Sequence, residues 1–221
     1  MPVKKSKHVP IWKKLLLIAL GVSALGVSTY SSGTLSNFTG EKVVEVVDGD
    51  TIIIANRQPI RLYDLNAPEI GDCMGKDAKE AMTSLVLNKK VILREPRSDG
   101  RGRVLALVYQ NGKLINEIMV KSGLAQARRD GGSETVKMNR ANVFARKNKI
   151  GIWSPTCYQT EPPDPNCNIK GNVNDQNGSR YFFPTDCRFY NLVIIEKHQG
   201  DAWFCSEAEA IKAGFPKSPG C

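Results

Sequence analysis

The chain has 221 residues, 41% hydrophobic and 24% charged. That composition is globular and sets aside a disordered or fibrous polymer, and the length holds one medium domain with a small appendage or long tails. The formal net charge of +9 is uneven: residues 1–33 carry five lysines and no acid, residues 34–154 carry 20 basic and 14 acidic residues, and residues 155–221 carry six basic and eight acidic. Beyond the N-terminus the positive surplus sits on the middle segment, which fits a polyanionic partner.

The N-terminus reads as a signal peptide or signal anchor over 1–33. Lys4, Lys5, Lys7, Lys13 and Lys14 precede an apolar run from Leu15 to Val22, and Ala24-Leu25-Gly26 places small residues where a signal peptidase reads. The run is short for a full membrane span, with Gly21, Ser23, Gly26 and Ser28 diluting it. Both readings put the body of the protein outside, secreted or periplasmic, or anchored through this segment alone. Residues 34–40 are polar and small, as a linker is.

Two β-branched runs, Val43 to Val47 and Ile52 to Ala55, flank the turn Asp48-Gly49-Asp50. Pro59 to Leu65 alternates as a third strand. Lys76 to Asn88 has helical spacing with Ala78, Met82, Leu85 and Val86 on one side. Lys90 to Arg94 and Val104 to Tyr109 are two further strands. Leu114 to Ser122 and Glu134 to Lys147 read as helices, with Gly123 and Gly151 suited to their C-terminal ends. After Trp153 four prolines, at 155, 162, 163 and 165, indicate a stiff linker over 155–165. The remaining residues, 166–221, form a small module with a short helix at Ser206 to Ala213, where Ser206 and Glu209 suggest a capping box.

Six cysteines in an exported chain favour disulfides. Cys73 and Cys157 flank the middle segment; Cys167, Cys187, Cys205 and Cys221 lie in the tail, without a Cys-x-x-Cys pair, and neither His8 nor His198 completes a zinc pattern. One bridge from Cys73 to Cys157 and two within the tail are expected. A module of about 55 residues sits near the limit of what an apolar core alone stabilises, so cross-links help it.

The chemistry concentrates between Asp48 and Arg103. Val47-Asp48-Gly49-Asp50-Thr51, Arg61-Leu62 running into Asn66-Ala67-Pro68-Glu69, and Asp99-Gly100-Arg101-Gly102-Arg103 supply oxygen donors for a hard cation, a spare carboxylate and guanidinium groups. Together with Asn116-Glu117, Gly123-Leu124-Ala125 and Gly151-Ile152-Trp153, these motifs resemble the thermonuclease family of staphylococcal-nuclease-like domains in order and near-family spacing, from about Glu41 to Trp153. The resemblance implies an α+β, mainly β fold: a five-stranded OB-fold barrel with about three helices, spanning 41–154, followed by the cysteine-containing C-terminal module. It implies a monomeric, metal-dependent nuclease acting on DNA or RNA.

Within that resemblance, Arg61, Glu69 and Arg103 are the expected catalytic residues, and Asp50, Asn66 and the carbonyl of Ala67 the expected calcium ligands. Asp48 suits the turn rather than the metal. Arg61 on an apolar strand either pairs with a carboxylate or meets phosphate; Arg103 is either a solvated loop arginine or a phosphate contact. Glu69 is either the base that activates water or a group that orders metal-bound water. Asn66 departs from the family, which carries a second carboxylate there, so the site loses one negative charge. Asp64 lies on the same strand face by a period of two. Arg101 replaces a family tyrosine, and Arg128 and Arg129 stand where some members carry tyrosines; all three are substrate-contact candidates, with a solvated basic turn as the alternative for the last two. The competing functional reading is a non-catalytic barrel that binds nucleic acid or a partner and has lost the metal.

Overall fold

The structure, a computed structural model, describes residues 38–175 and 177–221. The expected export segment, 1–33, lies outside the described residues, as does most of the expected linker that follows it. Among the described residues no helix is long and apolar enough to cross a membrane.

Strand β1 (Phe38–Val46) turns through Asp48-Gly49-Asp50 into β2 (Thr51–Ile54), which pairs with β3 (Pro59–Leu62). Helix α1 (Gly75–Val86) follows, then β5 (Lys90–Ser98) and β6 (Val104–Gln110). β5 pairs with both β1 and β6, and β3 runs parallel to β6 with Arg61 opposite Leu105, so five strands close into a ring. The two-residue β7 (Lys113–Leu114) extends the sheet from β6. Helices α2 (Ile115–Lys121) and α3 (Thr135–Lys147) complete this part. Alternation within β3 puts Ile60 and Leu62 inside and Arg61 outside. The core is built from Val43, Ile52, Ile60, Leu62, Met82 and Met119 among others, with α1 contributing the expected Ala78, Met82 and Val86.

The expected third strand does not run unbroken to Leu65. Asp64 takes a left-handed conformation (φ 59°), the chain leaves the ring, and β4 (Leu65–Asn66) pairs instead with β8 (Gln126–Ala127), Asn66 opposite Gln126. The Asp64 carboxylate rewards this backbone. It accepts from the Asp130 amide (2.8 Å) and the Thr135 hydroxyl (2.8 Å), while the Asp64 amide donates to the Asp130 carboxylate. Buried Asn116 joins the same layers, accepting from the Val108 amide (2.9 Å) and donating to the Tyr63 carbonyl (2.8 Å).

Residues 38–221 belong to one compact unit. Past Trp153, β9 (Tyr158–Gln159), which falls in the proline-rich stretch, pairs with β12 (Ile195–Glu196). A three-stranded sheet places β10 (Ile169–Val173) between β11 (Arg180–Phe183) and β13 (Ala202–Phe204), beside helix α4 (Glu207–Lys212). Its core is small, with Ile169, Phe182, Phe204, Ala210 and Phe215, and Cys167–Cys205 and Cys187–Cys221 cross-link around it. The third bridge, Cys73–Cys157, joins the loop before α1 to the start of this segment. The Ser206 hydroxyl accepts from the Glu209 amide as expected, but Glu209 reaches back to the Cys205 amide (2.8 Å) rather than to Ser206 itself.

His198 is buried, and neither ring nitrogen has a hydrogen-bond partner. Burial pushes its pKa down to about 4 from an ordinary 6.5. The unfolded chain therefore takes up this proton before the folded one, so the stability His198 permits at neutral pH is lost as pH falls below about 6.5. Glu196 and Asp201, raised by burial to about 7 and about 6, act in the opposite direction, since the folded state holds their protons more tightly as pH falls. Replacing His198 by leucine isolates the first effect, worth about 2 kcal/mol at pH 5. Between pH 7.5 and 5 the Tm of His198→Leu is expected to gain about 4–8 °C relative to the parent protein. An identical acid response in the two proteins would refute this account.

Candidate functional site

The site grows from the β1–β2 turn and the exit from β3. The Asp48 carboxylate accepts from the Asp50 amide (2.9 Å), which fixes the turn and leaves the Asp50 side chain free to point inward. Gly49 is dictated by proximity: a Cβ there would lie 2.6 Å from the Ala78 methyl and 2.7 Å from the Ala67 methyl. Asp50, 3% exposed, accepts from the Thr51 hydroxyl (2.8 Å), from Arg61 Nη1 (2.5 Å) and, through its other oxygen, from the Ala67 amide (3.1 Å). Burial raises its pKa to about 6 against the pull of the Arg61 charge, so it is ionised at neutral pH.

Arg61 makes a second bond from Nη2 to the Asn66 amide oxygen (2.7 Å). The carboxylate pairing that the sequence left open as one alternative is therefore present. Arg61 is paired, and it also lines an open cleft of about 610 Å³ together with Glu69, Arg101, Arg103 and Arg128. The expected catalytic trio thus faces one space. Asp50 and Ala67 lie buried, with Asp50 bonded directly to Arg61. Asn66 and Arg129 line an adjoining hollow of about 230 Å³ that shares Arg128 and Asp130 with the main cleft.

Arg103 is held by a residue whose importance the motif did not reveal. The Asp99 carboxylate accepts from the amides of Arg101 (2.7 Å) and Arg103 (3.1 Å) and from Arg103 Nε (2.7 Å). The Arg103 bond is the main reason the Asp99 carboxyl falls to about 2. Arg103 also lines the cleft, and Gly102 at φ 86° supplies the left-handed backbone of the turn before it. Glu69 is exposed at the cleft. Its carbonyl accepts from the Asp72 amide (2.9 Å), closing a short turn. Asp72 beside it is raised by burial and then by the Glu69 charge, with Arg180 of the C-terminal segment opposing.

Asp64 plays no part in this cluster. Its carboxylate is spent on the Asp130 and Thr135 bonds, and its carbonyl accepts from the Arg128 amide (2.8 Å), so it shapes the loop that carries Arg128 rather than replacing the carboxylate missing at Asn66. Among the described residues no three His, Cys, Asp or Glu side chains gather into a metal-binding group. The oxygen donors that do converge are one carboxylate, Asp50, and one amide, Asn66, and both point at the single cationic group of Arg61. Both oxygens are engaged by the guanidinium; as a donor pair they are of the oxygen type that a hard cation takes, at one negative charge fewer than a pair of carboxylates gives.

Asp175 and Gln199, from the C-terminal segment, also line the hollow beside Asn66. No sequence signal marked them, because nothing local connects them with residues 66–130.

The family model described as staphylococcal nuclease homologue matches residues 59–155. The match includes Arg61, Asn66, Glu69, Arg103, Arg128 and Arg129 and begins after Asp50. A micrococcal nuclease of Shigella flexneri is 36% identical over 155 residues, which is 64% of this chain and 88% of that protein. The protein ParB of Escherichia coli is 34% identical over 145 residues, 60% of this chain and 81% of its own length. A thermonuclease of Staphylococcus hyicus is 32% identical over 140 residues, 57% of this chain and 83% of that protein.

Proposed function

This chain belongs to the staphylococcal nuclease homologue family, and from that premise we propose that it is an exported, calcium-dependent endonuclease that hydrolyses DNA with little sequence preference. The observation that carries the reading is the convergence of Arg61, Glu69 and Arg103 on one open cleft next to the buried Asp50 carboxylate. The closed ring of strands is the framework an oligonucleotide-binding barrel would use to present such a cleft. The pairing of all six cysteines into three disulfides fits an oxidising, extracytoplasmic setting.

In this mechanism the substrate backbone lies along the cleft, its phosphate oxygens held by the forked donors of Arg61 and Arg103 and approached by Arg101 and Arg128. Glu69 accepts a proton from water as the water oxygen bonds to phosphorus. The opposite P–O bond then breaks, and the leaving oxygen takes a proton from solvent. Two guanidiniums cannot lose their charge at any useful pH, so they stabilise the growing negative charge throughout. Asp50, Asn66 and the Ala67 carbonyl would hold calcium, which would supply further neutralisation of phosphate charge. Because backbone phosphates provide most of the affinity, binding should weaken steeply with added salt.

The test is cleavage of single-stranded and duplex DNA by residues 34–221, titrated with calcium and with chelator, beside an Asn66→Asp variant. Calcium-dependent cleavage is expected in the natural protein. Asn66→Asp is expected to reach half-maximal activity at a calcium concentration lower by roughly tenfold, from the added negative charge. No cleavage by the natural protein at millimolar calcium would sink the proposal in favour of a barrel that only binds.

A further inference from the structure

The three-residue turn Lys197–Gln199 touches both sides of the candidate site. On one side the Lys197 carbonyl accepts from the Cys73 amide (3.3 Å), four residues after Glu69, and the Lys197 amide donates to the Cys157 carbonyl (2.8 Å). The disulfide between Cys73 and Cys157 ties the same two partners covalently. On the other side Gln199 Nε2 donates to Gln126 (3.4 Å), whose residue stands opposite Asn66 in the β4–β8 pair. A second bond from the same nitrogen to Glu196 (2.8 Å) holds the Gln199 side chain in place. Between these two contacts His198 is buried edge-on to Trp153, with ring centroids 5.8 Å apart, so the turn cannot swing away without opening a packed layer.

We propose that the turn Lys197–Gln199 is a clamp that positions the Glu69 loop relative to the Asn66 strand, making the C-terminal segment a working part of the nuclease centre. The inference rests on the nuclease reading above and extends it to a part of the chain outside the family match. The physical case is one of precision. Glu69 is exposed and sits on a short loop, and a catalytic carboxylate on such a loop works only if something rigid fixes the loop. Here the fixing comes from a distant segment that grips the loop at Cys73 and grips the strand of a candidate metal ligand at Gln126. Gln199 is thus a positioning residue, since it acts through Gln126 and contacts no reacting atom in this scheme.

The experiment uses the full chain without its leader and measures kcat and KM on DNA for Gln199→Ala, Gln126→Ala, their combination, and the paired Cys73→Ser/Cys157→Ser variant. Each single glutamine variant is expected to lower kcat by about 3–10-fold, and the cysteine pair by about 10-fold or more, with KM within twofold. The glutamine pair should lose little more than either single variant. Hydrogen exchange at the amides of residues 69–75 should quicken in the cysteine variant. A segment that merely stabilises the fold would lower Tm and leave kcat per folded molecule unchanged, and that result overturns the clamp. Gln199→Ala is a mild, partly exposed change, so it decides the matter even if the cysteine variant folds poorly. Cleavage by the parent with unaltered kcat in every variant removes the clamp alone, whereas an inactive parent removes the nuclease reading and the clamp with it.

Discussion

Replacing Arg103 with alanine is expected to lower the rate of DNA cleavage by about 10²–10³-fold while leaving the fold intact. The two consequences separate because of how Arg103 is held. Its partner Asp99 keeps both backbone amide bonds, from Arg101 and from residue 103, when the guanidinium is gone, so no buried charge is orphaned. Arg61 is the instructive contrast. Asp50 is 3% exposed beside Arg61, and removing the guanidinium leaves its carboxylate only the Thr51 hydroxyl and the Ala67 amide as donors. Breaking a pair of that kind costs about 3 kcal/mol, or about 6–12 °C in Tm for a protein of this size. Arg61→Ala should therefore lose both activity and stability, and calcium should restore part of the lost Tm by replacing the positive charge lost beside Asp50. Kinetics on both variants, with melting curves in calcium and in chelator, check the contrast. Equal Tm losses for Arg61→Ala and Arg103→Ala would show that the Arg61–Asp50 pair has been misjudged.

The second large effect is expected at a residue that never meets the substrate. Gly75 opens α1, and a Cβ built on it would sit 1.8 Å from the Glu69 carbonyl oxygen and 2.6 Å from the Glu69 carbonyl carbon. Backbone cannot move aside as a flexible side chain can, so Gly75→Ala must push either the Glu69 turn or the start of the helix. A displacement of about 1 Å at a catalytic carboxylate costs on the order of 10²-fold in kcat. Gly75→Ala is expected to show that loss together with a lowered Tm, whereas Glu69→Gln should lose about 10²–10⁴-fold in kcat with Tm nearly unchanged. Should Gly75→Ala retain kcat within threefold of the parent, the Glu69 turn would be too pliable to need the packing seen here.

Both effects bear on what could be read in advance. The strands around Asp48-Gly49-Asp50, the apolar stripe of Ala78, Met82 and Val86, and the three helices of the middle segment follow from short-range periodicity, which any fold of this chain has to satisfy. The residue types of the site were legible for the same reason: a buried-strand arginine, a turn aspartate and Gly102-Arg103 are each unusual where they stand. Alternation misled at Asp64, where a period of two continued the strand to Leu65. The left-handed backbone there depends on Asp130 and Thr135, 66 and 71 residues away.

The sequence by itself determined the main strands and the three helices of the middle segment, that this segment carries the positive surplus, and which acidic and arginine side chains are candidates to meet a phosphodiester. Only the tertiary structure decided that Arg61 bridges Asp50 and Asn66, that Asp99 holds Arg103, and that Gln199 lies beside Gln126. The reason is physical. Local pattern records which face of an element is apolar, and that is enough to place an element. The pairing of polar groups is set by which distant segments the closed ring and the Cys73–Cys157 bridge bring within hydrogen-bond range, and that distance is a property of the folded chain alone.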